Sequence, residues 1–484
     1  MLFNSLEFAL FFPLVYLAYL ALSWKWQNRM LLLASYVFYG WWDWRFLALL
    51  WISTIVDHFC GLRIAGATDG RSRRRYLVLS MATNLGLLGF FKYWNFFLES
   101  AQQTLRSLGA DPGAFHLEVV LPVGISFYTF QTMTYTIDVY RRQVEPTRRF
   151  FDFALFVAFF PQLVAGPIER ARTLLPQVLA PRRLAPGQIS EGVYLVGWGL
   201  FKKVFIADNL AIVVEATFAD PTGRTGVEIW IALYAFAFQI YCDFSGYTDI
   251  ARGLAKLMGF DLLVNFRLPY FATNPADFWR RWHISLSTWL RDYLYIPLGG
   301  NRQSPLRTHR NLFLTMLLGG LWHGAAWTFV LWGAYHGLLL MAHRVVRRRR
   351  EARRRARPPL SPWGVPLGRV AAIAFTFHLV CIGWLLFRAP SLEQAVAMAG
   401  ALFGDLTFTT RAGLDALGVL FFVGPLLVMQ AFQYRTGDLS CFLRWQPTRR
   451  VAFVLACGFL MFYVVLLGRE AGIGGGNEFI YFQF

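Results

Sequence analysis

Apolar stretches of roughly 20 residues recur along the whole chain, and no other feature constrains its fold as strongly. A helix needs about that many mostly apolar residues to cross the hydrocarbon core of a bilayer. Charged residues make up only 15% of the 484 residues, against about 25% in soluble globular domains. The sequence therefore predicts an all-α polytopic membrane protein with about ten to twelve helical passes. The stretches lie near residues 8–24, 30–45, 46–62, 76–98, 117–139, 150–165, 189–210, 226–245, 311–343, 366–388, 414–432 and 451–468.

Between these stretches no polar segment is long enough to form a soluble domain, so we expect one membrane-embedded domain over residues 1–484. Residues 150–165 are short enough to dip into the membrane without crossing it. Residues 100–116 are expected to form an outer loop, and residues 344–365 a basic cytoplasmic linker.

The formal net charge of +19 comes from basic residues grouped between the apolar stretches. Lys and Arg collect in the cytoplasmic loops of membrane proteins, so this pattern indicates membrane topology and not nucleic-acid binding. Lys25 and Arg29 follow the first stretch, which predicts an N-terminus outside. The C-terminal tail, residues 469–484, is then also outside, as in a multi-pass protein of a bacterial inner membrane. The first residues lack a basic region, so no cleaved signal peptide is expected.

The five cysteines are scattered and form no Cys-x-x-Cys pair. This arrangement predicts neither a disulfide framework nor a zinc site. No bound metal or cofactor is expected.

His323 stands inside an apolar stretch in which residues 324–335 carry no charge. An ionisable side chain within a membrane is costly and is usually kept for pairing, transport or chemistry. In a straight helix His323 would lie roughly 30 Å from Arg344, and His336 roughly 20 Å away on nearly the opposite side. His336 is therefore not expected to share a site with His323, although the glycines of this stretch permit a break.

Residues 246–310 are too polar to span and too aromatic for a free loop. Asn274 as a cap, Pro275 in the first position and Asp277 at the positive end predict a helix start. The helix that follows, residues 278–292, is amphipathic and should lie at the membrane interface. Its tryptophans share one face, Arg280 meets headgroups or water, and His283 lies on the flank of the apolar face.

Several segments taken together resemble the membrane-bound O-acyltransferase family, in particular its bacterial alginate and peptidoglycan O-acetyltransferase branch, which is related to D-alanine-exporting acyltransferases. The resemblance covers most of the chain, and the segments follow the family's order. It implies a ring of helices, thin at its centre, with re-entrant and interfacial helices. The segments are residues 122–130 with 137–140, 159–168, 241–249, 265–300 and 321–324.

The resemblance also implies a reaction. An acetyl group would pass from a cytosolic thioester, acetyl-coenzyme A or an acyl carrier, to hydroxyls of an extracytoplasmic polysaccharide of the alginate, peptidoglycan or cellulose type. The family's central histidine falls on His323 and its second polar position on His283, so the resemblance implies that His283 positions the donor carbonyl or polarises it. A neutral imidazole suits a general base for the hydroxyl. Further substrate-binding candidates are Trp322, Trp279, Arg280, Asp138 and Asp249.

The C-terminal ending, residues 479–484, is similar to a Phe-x-Tyr-Phe-x-Phe ending in this branch and in a small partner of D-alanylation systems. The resemblance implies that Tyr481 takes the acyl group and passes it on, with the glycines at residues 472–476 as a hinge. A separate periplasmic O-acetyltransferase would complete the reaction. The alternative is an aromatic anchor at the interface.

Other functions stay open at this stage. A transporter or flippase without acyl transfer would use carboxylates such as Asp138, Asp243 and Asp249 for coupling, although the chain has no repeat that suggests paired halves. These carboxylates are also explained as caps or as partners of nearby arginines. The two histidines have structural explanations as well, His323 as a buried hydrogen-bonding group and His283 as an interfacial residue. A scaffold for a polysaccharide exporter would need no histidine chemistry.

Overall fold

The computed structural model describes residues 1–113, 115–354 and 364–470 together with Ile480. Within this part of the chain every regular element is helical, which confirms the all-α prediction. The α-helices are α1 (Leu6–Ala21), α2 (Trp24–Asp43), α3 (Leu47–Gly66), α4 (Gly70–Leu88), α5 (Trp94–Ser107), α6 (Ile125–Tyr140), α7 (Phe150–Ala158), α8 (Phe160–Leu163), α9 (Ala171–Leu179), α10 (Gln188–Leu200), α11 (Asp208–Ala219), α12 (Gly226–Leu257), α13 (Pro275–Trp279), α14 (Ile284–Leu290), α15 (Pro305–His323), α16 (Trp327–Arg354), α17 (Gly364–Arg388), α18 (Leu392–Gly404), α19 (Thr410–Thr436) and α20 (Pro447–Glu470).

Six helical stretches of the described residues are long and apolar enough to cross a membrane. The first of them, Trp24–Gly66, contains α2 and α3 joined by the short 3₁₀ turn Trp44–Phe46. The polytopic membrane fold is therefore confirmed, whereas the ring and the total of ten to twelve passes stay predictions. The stretches are Trp24–Gly66, Gly226–Leu257, Trp327–Arg349, Leu367–Arg388, Thr410–Thr436 and Pro447–Val464.

The chain divides into two compact units, and the prediction of one domain is not tested by this division. Among the described residues, the first unit contains residues 1–198 and 247–263. Its polar interior is centred on Asp57, which accepts hydrogen bonds from Ser80 and Asn84. Helix α6 is almost entirely buried there. The second unit contains residues 199–246 and 264–470 with Ile480.

A helical hairpin of α15 and α16 dominates the second unit. Helix α15 ends at His323, three residues reverse the chain, and α16 begins at Trp327. Gly320 and Gly333 allow the two helices to touch through their backbones, because a Cβ added at Gly320 would lie 2.9 Å from the Cα of Gly333. The predicted break in the 311–343 stretch is therefore present, and the straight helix is ruled out.

The prediction of one continuous interfacial helix over residues 278–292 is wrong, because the helix is interrupted. Asn274 caps α13 as predicted, with its side chain accepting from the N–H of Asp277. However, α13 ends at Trp279, and His283 adopts a left-handed backbone conformation with φ of 41° before α14 begins. Left-handed geometry is uncommon for a residue other than glycine, and local periodicity does not reveal it.

Three other predicted boundaries also shift. The 117–139 stretch becomes helical only at Ile125, because Gly124 precedes it with φ of 77° and any side chain there would meet the carbonyl of Leu163. The predicted outer loop is helical up to Ser107, and the predicted basic linker continues α16 as far as Arg354. Exposed arginines do not stop a helix because their helix propensity is high.

The close contact between α15 and α16 predicts that one added methyl group lowers the stability of the protein at Gly320 but not at an open glycine elsewhere. Gly320→Ala should cost about 1–3 kcal/mol, because the added Cβ overlaps Gly333 and the carbonyl of Phe329. The midpoint of thermal unfolding in detergent should fall accordingly. Gly418→Ala is the matched control, since a Cβ there meets nothing within 4 Å. Equal midpoints for both variants would contradict the packing described.

Candidate active site

His323 is the last residue of α15, and it is 4% exposed. Aromatic rings surround its imidazole. The ring of Trp332 on α16 lies edge-on at 5.1 Å between centroids, and Phe387 on α17 lies at 5.5 Å. The turn at residues 324–326 fixes this position, because it brings α16 back against the end of α15.

His283 lies beside His323, with 6.1 Å between the two ring centroids. It is fully buried, and Phe244 of α12 packs edge-on against it at 4.7 Å. This position differs from the predicted flank of an amphipathic helix, because the left-handed turn directs the residue inward. The segment around His283 is outside the candidate spans, and burial lowers the pKa of its imidazole to about 3. His283 is therefore neutral at physiological pH.

The prediction that His336 lies far from His323 is wrong. Because the hairpin reverses the chain, Trp332 packs against His323, and the buried His336 lies one turn further along α16, at 4.9 Å from Trp332 between ring centroids. Trp332 thus separates the two imidazoles. Trp279 also contacts His336, at 5.2 Å.

A cavity of about 300 Å³ opens beside His323 and is called the histidine cavity below. Its walls come from α13, α14, α15 and α16, and most of them are apolar. Trp279 and Arg280 lie on one wall and Trp332 on another, whereas His283 does not line it. The imidazole of His323 gives this largely apolar cavity a proton acceptor, which an acyl transfer to a hydroxyl requires.

Of the other predicted site residues, Trp322 lies beside the two histidines, whereas the two aspartates lie in the first unit. Trp322 is buried next to His323, and its ring lies 6.0 Å from that of His283. Arg280 is exposed and 3.9 Å from Asp277, as expected for an interfacial arginine. Asp138 and Asp249 belong to the first unit, where Asp138 is buried and Asp249 lies 3.3 Å from Arg252. Their part in substrate binding stays a prediction.

The sequence interpretation missed a buried ionic cluster. Lys203 lies in a π-helical segment, Phe201–Ala207, and is 2.8 Å from Asp243 and 2.9 Å from Asp208. The backbone N–H of Ile480 donates to the second carboxylate oxygen of Asp243 at 2.8 Å. Lys202 and Lys203, adjacent lysines inside an apolar stretch, were the available signal, because such residues are rarely placed in a membrane without function.

Within the described ranges no group of three or more histidine, cysteine or acidic side chains is arranged to hold a metal ion. Tyr481, the predicted acyl carrier, lies outside the described residues.

Known proteins resemble the chain over its full length. The profile of MBOAT, the membrane-bound O-acyltransferase family, matches residues 126–382. The probable alginate O-acetylase AlgI of Pseudomonas putida is 41% identical over 510 aligned residues that cover both chains completely. This chain belongs to the membrane-bound O-acyltransferase family. The peptidoglycan O-acetyltransferase of Helicobacter pylori is 36% identical, with 100% of this chain and 98% of that protein covered.

A more distant relative of this membrane-bound O-acyltransferase is the teichoic acid D-alanyltransferase of Bacillus subtilis. It is 26% identical in an alignment that covers 56% of this chain and 70% of the Bacillus subtilis protein.

The predictions of the family and of an acyltransferase enzyme are confirmed. Acyl-transfer chemistry is therefore favoured over a transporter or a scaffold.

The histidine cavity predicts a difference in reactivity between two serines of α14. Ser287 lines the cavity, whereas Ser285 is buried outside it. In a variant without the five native cysteines, Ser287→Cys should react with a small water-soluble maleimide about tenfold faster or more than Ser285→Cys, because thiol reactivity follows access. The rates are measured by mass spectrometry. Equal rates would mean that the cavity is closed to solvent.

Proposed function

We propose that this membrane-bound O-acyltransferase moves an acetyl group from a cytosolic thioester toward hydroxyls of an extracytoplasmic polysaccharide. The observation that carries the proposal is His323, a buried histidine that lines a largely apolar cavity within the family's matched region. Relatives named for alginate and peptidoglycan acetylation support acetyl as the group and a polysaccharide as the acceptor.

In the proposed reaction His323 is the general base. Its imidazole takes the proton of the acceptor hydroxyl while that oxygen attacks the thioester carbonyl carbon. The C–S bond then breaks, and His323 returns the proton to the departing thiolate, which leaves as the free thiol. Acetyl-coenzyme A or an acyl-carrier thioester supplies the activated carbonyl.

His283 is the proposed positioning residue for His323. Its ring contacts the aromatic cluster around His323, and its neutral state avoids repulsion when His323 becomes protonated. The developing negative charge on the carbonyl oxygen needs a donor. The indole N–H of Trp332 is suited to this, because Trp332 lines the cavity and its Nε1 is buried with no acceptor among the described residues.

The general-base role predicts different effects for two buried histidines. His323→Phe keeps a ring but removes the base, so consumption of acetyl-coenzyme A should fall by about 10²- to 10⁴-fold. His336→Phe makes the same replacement at the buried histidine on the other side of Trp332. This variant should retain most of the activity. Thioester loss in nanodiscs is measured with a thiol reagent. Equal activity of the two variants would refute the role of His323.

We further propose that the acetyl group passes through Tyr481. The phenol oxygen would attack the thioester carbonyl carbon while its proton goes to His323, and the C–S bond would break as the thiol leaves with that proton. The resulting aryl ester is a good donor because phenolate leaves readily. The contacts of Ile480 support this. Ile480 directly precedes Tyr481, is buried in the same unit as His323, and donates its N–H to Asp243. The next residue on α12, Phe244, packs against His283.

The hydrogen bond from the backbone N–H of Ile480 to Asp243 is tested by removing that N–H. Ile480→Pro deletes the donor to Asp243, and a hydrogen bond to a charged group is worth about 1.5–3 kcal/mol, so single-turnover acetyl-coenzyme A consumption should slow about tenfold or more. Ile480→Val keeps the N–H and should match the wild type. If Ile480→Pro also reacts at the wild-type rate, Asp243 does not hold the tail for catalysis.

A separate periplasmic O-acetyltransferase is proposed to take the acetyl group from Tyr481 and to complete its transfer to the polysaccharide. The proposal needs the C-terminal tail on the outer face of a bacterial inner membrane, which the positions of the basic residues support.

A further inference from the structure

A second cavity, of about 280 Å³, lies in the first unit and has a basic lining. It is called the basic cavity below. Lys25, Arg29 and Arg149 line it together with one carboxylate, Asp152. These side chains give the lining a formal net charge of +2, in contrast to the apolar histidine cavity. The mechanism proposed above uses none of them.

The positive charge of the basic cavity is not neutralised by the protein around it. Asp152 lies 3.9 Å from Arg149 and also accepts from the amide of Asn28 at 2.9 Å. The ion pairs of the described residues include neither Lys25 nor Arg29. A fourth cation, Arg182, donates to the other side of the Asn28 amide at 2.8 Å.

The backbone adds further donors at the same place. Helix α2 begins at Trp24 and α7 begins at Phe150, and both residues line the basic cavity. Neither helix receives a side-chain hydrogen bond from its N-cap residue, Ser23 or Arg149. The first N–H groups of a helix favour anions, and oxyanions bind there readily. Two such ends and three cationic side chains together favour an anion such as a phosphate group.

The surroundings of the basic cavity indicate where the phosphate comes from. Trp24, Phe150 and Phe151 line the cavity, and Trp26 and Phe151 are each 57% exposed. Aromatic side chains beside basic ones, at the end of an apolar helix such as α1, are typical of the headgroup level of a membrane. Basic cavities at this level bind anionic headgroups.

We propose that the basic cavity binds the phosphodiester of an anionic phospholipid headgroup. Lys25, Arg29 and Arg149 contact the phosphate oxygens, and the exposed aromatic rings contact the upper part of the acyl chains. The preference is for phosphatidylglycerol over phosphatidylcholine, because the choline cation would be repelled by the same side chains. The site is independent of the acyl-transfer reaction.

The test is lipid competition on the full-length protein, read by native mass spectrometry. The purified protein is equilibrated with equal amounts of phosphatidylglycerol and phosphatidylcholine in detergent. Wild type should retain phosphatidylglycerol about fivefold or more over phosphatidylcholine. The triple variant Lys25→Gln, Arg29→Gln, Arg149→Gln should lose this preference, and Lys25→Arg, Arg29→Lys, Arg149→Lys should keep it.

The matched control removes three charges elsewhere in the same unit. Arg71, Arg74 and Arg75 are exposed on α4, and their replacement by glutamine should leave the preference intact. Equal loss in the control would overturn the site, since the preference would then follow net charge alone. Retention by the cavity variant would overturn it as well.

A final arm separates lipid from soluble phosphate compounds. Inorganic phosphate and coenzyme A are added in turn to wild type and to the cavity variant, each with and without phosphatidylglycerol. If coenzyme A binds to wild type but not to the cavity variant, while phosphatidylglycerol shows no preference, the lipid proposal is overturned. Selective phosphatidylglycerol binding that millimolar phosphate does not displace supports it.

Discussion

The position of His323 depends on one backbone contact, between Gly320 and Gly333. Because neither residue has a side chain, α15 and α16 approach closely enough for a three-residue turn to join them. The turn ends α15 at His323 and returns the chain so that Trp332 packs against the imidazole. A histidine in the middle of a straight apolar helix would have no such enclosure. The reversal therefore forms the aromatic cluster and one wall of the histidine cavity.

The ionic cluster of Lys203, Asp208 and Asp243 shows how this fold tolerates charge inside apolar surroundings. Each charged group has an opposite charge within 3 Å, which limits the cost of burial. The π-helical segment around Lys203 also fits this picture, because such segments often occur at functional sites. The remaining oxygen of Asp243 accepts a backbone N–H from Ile480.

Sequence patterns predicted those features that depend on nearby residues. The apolar stretches predicted an all-helical membrane protein, and Asn274 predicted the start of α13 through local capping chemistry. The quoted motifs predicted the family. The left-handed conformation of His283 was missed, because hydrophobic periodicity carries no signal for a single residue with positive φ. The proximity of His336 was missed for a similar reason: the turn that reverses the chain depends on contacts between residues 13 positions apart.

The most direct test of the account is to locate the acetyl group on the enzyme. The full-length protein in nanodiscs is incubated with isotopically labelled acetyl-coenzyme A, quenched and analysed by peptide mass spectrometry, alongside His323→Phe and Tyr481→Phe. We expect label on the peptide that contains Tyr481 in the wild type and no label there in either variant. Thioester consumption with label on another residue, or undiminished consumption in Tyr481→Phe, would contradict it.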